Sequence, residues 1–462
     1  FKTILLNILV CYVHIHQIHA DDKRNRVCRP SFCRRHNKLK HHMEHSTRIS
    51  TVSLMFLFVV TTKGQTNSEQ VKAESFLKNV NATLTRKSYE RSLATWAFNT
   101  NITDYNTALK VEANLAYSKA YAEIQKNSLQ FDLSKLKKDT ARQIKFLRNS
   151  MQLKNQTELR EAEKLRSELR KLYSTAKVGS NSLEPGLVGI MAQSRDYNKL
   201  LETWKGWRDA SGRKMRDIYK RYVNLRNKGA RENGYIDLGQ ALRLQYEVDN
   251  LDNIVEKLWN DLRPLYLELH AYVRYRLKEV YPGKVSQYDY IEAHLLGDMW
   301  AQDWGNINEL VEPYKNKSKL DITANLKKDL RYNTPVKLTK LAESFFHSLG
   351  LIRVPASFYE KSLLQRPKDR EVVCHASARD FWLYKDVRIK QCVEITQNHL
   401  VILHHELGHI QYYLQYWDLP VVYRKGANPG FHEAVGDLMS LSVDTPTHLQ
   451  ILGLLKDYQS DE

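Results

Sequence analysis

The sequence predicts a mainly α fold: one large helical domain with a small β-ribbon beside a candidate metal-binding helix. Three observations carry that expectation. Gln65 to Val178 contains neither Gly nor Pro and is rich in Glu, Lys, Leu, Ala and Gln, which favour helix and leave no room for frequent tight turns. His405-Glu406-Leu407-Gly408-His409 lies in an apolar-periodic run, which puts its two histidines one turn apart on one helix face. Just upstream, Val387, Ile389, Val393 and Ile395 alternate with polar residues, the period of a strand.

Composition bounds the function before any motif is weighed. A chain of 462 residues, 42% apolar and 27% charged, is that of a soluble globular protein, and its length permits one to three domains. The net charge of +19 is uneven: residues 1–50 hold ten Lys/Arg against three Asp/Glu, so +12 remains for the other 412. That remainder is spread through Lys/Arg/Glu-rich helical sequence, which reads as solvated surface, and no nucleic-acid motif accompanies it. No nucleic-acid partner is expected.

In chain order, residues 1–42 read as a basic N-terminal extension or as translated upstream sequence, since the first residue is Phe. Two segments resemble export signals. Ile4–Val13 follows Lys2 and is trailed by Ile18-His19-Ala20, while Met43 and Arg48 precede the apolar run Val52–Val60. The second is preferred, because the His- and Arg-rich piece between them suits neither a signal nor a folded domain; residues 43–64 are read as the signal peptide and 65–462 as the domain. Neither run reaches the roughly 18 residues of a membrane span, so none is expected within this chain. Sequons at Asn81, Asn101, Asn155 and Asn316 agree with a secreted, glycosylated protein.

Leu109–Lys126 and Leu159–Tyr173 space apolar residues by three and four, as long antiparallel helices require; the heptads are too broken for a coiled coil. Turn chemistry gathers at Gly179–Gly189. Helical sequence then resumes through Trp204–Arg226 and Leu251–Val280, continues over Ala293–Glu309, and runs from Val336 to Leu349, with Gly350 as its C-cap. Val372–Ala376 is read as a short strand. Cysteines 11, 28 and 33 lie near the start; Cys374 and Cys392, with 17 residues between them, could bridge the two short strands or remain buried thiols.

His405 and His409 at i and i+4 suit a zinc ion, with Glu406 beside it to handle a proton. Two surface histidines near a helical glutamate would give the same pattern. Glu433 follows His409 by 24 residues across the loop Asp418–Pro420 and Asn428-Pro429-Gly430, where a second helix could return it to the metal. Two histidines and a glutamate leave a fourth position for water. Asp437, one turn beyond Glu433, is placed to orient a ligand imidazole.

Six motifs resemble the angiotensin-converting enzyme family of zinc peptidyl-dipeptidases: Asn99–Thr103, Gly206–Asp209, Ala293–Trp300, Val373–Ala378, His404–Tyr413 and Gly426–Asp437. Together they span about Asn99 to Leu455. The resemblance implies a helical metallopeptidase domain with a deep cleft, and makes 65–462 part of a peptidyl-dipeptidase domain that is incomplete at its C-terminus. It implies that His405, His409 and Glu433 bind zinc, that Glu406 is the general base, and that His375-Ala376 form a substrate-aligning edge. It further implies that Gln302 helps hold the substrate's C-terminal carboxylate, that Arg208 belongs to a chloride site, and that short peptides with free C-termini are the substrates. The family's remaining carboxylate, transition-state and chloride ligands would lie beyond Glu462, and its early disulfide has no cysteines near Ser182–Gly186. Two rivals follow: a catalytically impaired peptide-binding or interaction protein of the same fold, and a zinc hydrolase with another substrate.

Overall fold

The computed structural model describes residues 68–286, 288, 290–314, 321–456 and 458. The expected extension and signal peptide, Cys11, Cys28, Cys33 and the Asn316 sequon lie outside the described residues. The Gly/Pro-free stretch folds as expected into long helices: α1 (Ser68–Thr100), α2 (Asp104–Ser128), α3 (Lys138–Arg148) and α4 (Gln156–Thr175). Only Asn101–Thr103 separates α1 from α2, so they form an antiparallel hairpin. Thr103 caps α2 by accepting from the Asn106 N–H at 3.1 Å, and Asn155 caps α4 through the Thr157 and Glu158 N–H groups.

The turn region after α4 is a miniature hairpin of β1 (Lys177–Val178) and β2 (Asn181–Ser182), with Gly179 left-handed at φ +59°. The helical stretch read over Trp204–Arg226 is two helices, α5 (Tyr197–Ala210) and α6 (Gly212–Glu232), because Ser211 breaks the run and its hydroxyl donates to the Trp207 carbonyl. The helix expected over Leu251–Val280 is observed with those bounds as α7. Ala293–Glu309, by contrast, is a chain of short turns: Asp298 gathers the N–H groups of Trp300 and Gln302 at 3.1 Å each, and Gly297 and Ala301 are left-handed. α8 (Pro335–Ser348) ends at Gly350 (φ +77°), where the Leu351 N–H reaches back to the Phe346 carbonyl.

The ribbon consists of β3 (Ser377–Asp380) and β4 (Val387–Lys390), antiparallel with Ala378 opposite Ile389. Val372–Ala376 is therefore not a strand of it, which corrects the sequence reading. That segment is pinned elsewhere: the Val373 N–H donates to the Asn99 carbonyl at the end of α1, and the Ile102 N–H donates to the Glu371 carbonyl. Cys374 and Cys392 are disulfide-bonded with Cα atoms 5.1 Å apart, tying the open end of the ribbon outside both strands. α9 (Gln397–Tyr416) and α10 (Pro429–Val443) complete this half, and a cluster of Phe346, Phe358, Ile389, Leu403, Leu407 and Ile410 packs between α8, the ribbon and α9. Among the described residues no helix is long and apolar enough to cross a membrane.

Candidate metal centre

Thr396 caps α9 by accepting from the His399 N–H. The helix is buried over most of its circumference, so each position of the motif meets a different environment. His404 points into the apolar cluster against Phe345 and Phe346, its Nδ1 against the Leu400 carbonyl, and burial lowers its pKa to about 4. Its neighbour His405 faces α10 instead.

The two helices approach closely because both carry glycine at the crossing. A Cβ on Gly408 would lie 3.1 Å from the Val435 carbonyl, and one on Gly436 would lie 2.6 Å from the His405 ring. Asn428 caps α10 through the Phe431 N–H, with Pro429 in the first turn, which points Glu433 back at α9. The outcome is a convergence. His405 Nε2 is 3.0 Å from His409 Nε2 and 3.2 Å from Glu433 Oε2, and His409 Nε2 is 3.5 Å from the same oxygen. The ligand atoms of His405, His409 and Glu433 lie within 4.8 Å of one another. Asp437 Oδ1 is 3.1 Å from His405 Nδ1, so in a metal-bound site His405 would keep its proton on Nδ1, toward that carboxylate, and turn the Nε2 lone pair inward. His432 stacks on His409 with ring centroids 4.3 Å apart.

This donor set fits a zinc ion: two imidazole nitrogens and one carboxylate oxygen facing one point, with one histidine oriented from behind by an acid. In the protein's own electrostatics, burial opposes a charged His405, but Asp437 and Glu433 overcome it and raise its pKa to about 10. The same histidines hold Glu433 far below the usual carboxylate range.

Glu406 is 6% exposed, and its Oε2 has no hydrogen-bond partner among the described residues. Burial pushes its pKa up to about 7, while His405 and the Ala378 N–H, which donates to its carboxylate, pull the other way. Ala378 thus reaches α9 with its backbone, and its carbonyl lies 3.5 Å from the Tyr413 hydroxyl. Ala376 precedes β3 by one residue, just before this edge begins. The His375 carbonyl accepts from Lys390, a lysine only 1% exposed. The His375 side chain is exposed, yet burial lowers its pKa.

Gln302 is exposed, in the turn whose N–H groups Asp298 collects. Arg208 spans α5 and that turn: it donates to the Met299 and Trp204 carbonyls at 2.7 and 3.2 Å, and its guanidinium lies 3.6 Å over the Trp204 ring. Of the sequons, Asn155 is exposed at the start of α4, Asn81 is exposed with its Oδ1 accepting from the Val421 N–H, and Asn101 is half-buried. Sequence reasoning misses the roles of Ala378, Gly436 and Lys390. Ala378 and Gly436 both fall inside the family-like motifs, but a strand-edge N–H and a close helix crossing leave no mark on local spacing.

The sequence model of the angiotensin-converting enzyme peptidase family matches residues 67–462. The chain belongs to the angiotensin-converting enzyme family. It is 44% identical over 397 residues to angiotensin-converting enzyme of Rattus norvegicus, covering 84% of this chain and 30% of that protein. It is 39% identical over 431 residues to that of Theromyzon tessulatum, covering 89% of this chain and 69% of that protein. For Haematobia irritans exigua the figures are 38% over 405 residues, 85% of this chain and 66% of that protein. The chain thus spans under a third of the length of the mammalian family members and about two thirds of the other two.

Proposed function

We propose that this protein is a zinc metallopeptidase that removes C-terminal dipeptides from short peptides. The observation that carries the reading is a buried carboxyl, Glu406, with one oxygen free of partners among the described residues, beside three converging zinc-type ligands. Zinc held by His405, His409 and Glu433 supplies a Lewis acid and lowers the pKa of water toward about 7. Glu406 takes a proton from the attacking water at Oε2 and returns it to the leaving amine. Asp437 holds His405 in the ligating tautomer. The backbone at His375-Ala376, leading into β3, pairs with an extended peptide as an added strand would.

Gln302 takes the free C-terminal carboxylate of the substrate, which sets the cut two residues from the end. Arg208 takes part in a chloride site that raises the rate. Secretion, with glycans on the Asn81, Asn101, Asn155 and Asn316 sequons, completes the reading; the resemblance and sequons support it. Mass spectrometry of a peptide digest tests the core claim: dipeptide products that disappear on chelation and return with zinc are expected. Cleavage only at internal bonds, or none with zinc bound, refutes it.

A further inference from the structure

The two histidines of the candidate metal centre are supported unequally. His405 has Asp437 behind it, 3.1 Å from its Nδ1, whereas the Nδ1 of His409 is buried and has no hydrogen-bond partner among the described residues. The torsion that turns an imidazole about its last bond is broad and roughly two-fold, so a ring with no hydrogen bond at its back must be held by packing. Two rings hold His409. His405 meets it edge-on, with centroids 4.6 Å apart and planes at 88°, and His432 lies flat against it at 4.3 Å and 21°. His405 is itself one of the proposed ligands. His432 is therefore the brace that comes from outside the ligand set.

His432 is fixed in its turn by two neighbours. The loop before α10 runs close against it: a Cβ on Gly426 would lie 2.5 Å from His432 Cβ and 3.1 Å from Cγ and Cδ2, so glycine alone lets the chain pass there. That loop is anchored on α9, where the Tyr412 hydroxyl accepts from the Ala427 N–H at 3.1 Å. Tyr413, 8% exposed and one turn beyond His409 on α9, places its hydroxyl 3.4 Å from His432 Nε2. We infer that His432 is a positioning residue for the metal: its ring, packed against Gly426 and Tyr413, sets the plane of His409 by stacking, as Asp437 sets that of His405 by a hydrogen bond. A second carboxylate behind the site would put one more desolvated anion beside Glu406 and Glu433, and a stacked ring orients the ligand without that cost. The inference rests on the zinc site proposed above.

The test is the zinc affinity of the metal-free protein, measured by competition with a chromogenic chelator. His432→Phe keeps a flat ring and loses both nitrogens, His432→Leu keeps bulk and loses the ring, and His432→Ala loses both. From the usual strength of an aromatic pair, affinity is expected to fall roughly three- to tenfold in His432→Leu and His432→Ala, and to stay within about twofold of the parent in His432→Phe. The visible absorption of the cobalt(II)-substituted protein, which reports ligand geometry, should shift in the first two and not in the third. His432→Leu fills the space of the ring, so it keeps the test valid if His432→Ala fails to fold. Parent-like affinity in His432→Leu overturns the inference. So does a His432→Phe as weak as His432→Leu, because the effect then belongs to the imidazole nitrogens, of which Nδ1 lies 3.6 Å from Glu433 Oε1. A parent chain that binds no zinc sinks the metal site and this inference with it, whereas a zinc-binding parent with unmoved variants sinks this inference alone.

Discussion

Gly436→Ala separates the proposed metal site from the fold that carries it. In a helix interior this substitution ordinarily stabilises by about 1 kcal/mol. Here the new methyl would sit 2.6 Å from His405 Cε1 and Nδ1 and 2.7 Å from Nε2. Ordinary contact begins near 3.4 Å, so the ring must retreat by roughly 0.8 Å. An imidazole at the end of a rotatable side chain can do so with little damage to the core, but it then leaves Asp437, 3.1 Å away, and the Glu433 oxygen at 3.2 Å. Loss of such support typically weakens a metal site by roughly 10–100-fold, or about 1.4–2.7 kcal/mol. The expected pattern is thus a metal-free protein of equal or higher denaturant midpoint and a zinc affinity lower by that factor. Competition against a chromogenic chelator measures the affinity, and chemical denaturation of the metal-free form measures the fold. Unchanged zinc affinity would refute the packing argument.

Three further outcomes are expected. Glu406→Gln lowers turnover by roughly 10²–10⁴-fold with zinc still bound, read by kinetics beside metal analysis; normal turnover sinks its role as base. Reducing the Cys374–Cys392 bridge destabilises by roughly 3 kcal/mol, seen as a lower denaturant midpoint with reductant, and an unmoved midpoint counts against the ribbon as part of the cooperative unit. Lys110→Met stabilises most at low pH: Lys110 is charged in both folded and unfolded chains below about 7 and neutral in both above 10.5, and between these values the folded chain has already shed the proton. The stability gap between variant and parent should therefore close as pH rises from about 7 toward 10.5. A gap that is constant across that range removes the case for a buried, unsatisfied ammonium.

Much of the helical plan is legible in the sequence because it rests on local rules. Apolar spacing and terminal Gly or Pro give α7 its observed bounds, and α8 to within a residue. The ribbon is not legible in that way. Its hairpin turn, 381–386, contains no Gly, yet Trp382, Tyr384 and Lys385 are left-handed with φ of 69°, 59° and 50°. Tertiary contacts hold that turn: Asp380 accepts from the Trp382 N–H at 2.7 Å, and Arg424, beyond the end of α9, donates to the Trp382 carbonyl. No local signal marks such a turn, so the sequence pattern puts a strand on the apolar run before it, which instead pairs with the end of α1.

What the sequence by itself determined is the chemistry: a helical chain, two histidines one turn apart, a glutamate between them, and acids at 433 and 437 able to complete and steady the set. Helix periodicity is local, so those spacings suffice. Only the tertiary structure decided which groups meet. The Gly408–Gly436 crossing brings Glu433 to His405 and His409, burial separates core His404 from its neighbour His405, and the ribbon's register delivers the Ala378 N–H to Glu406.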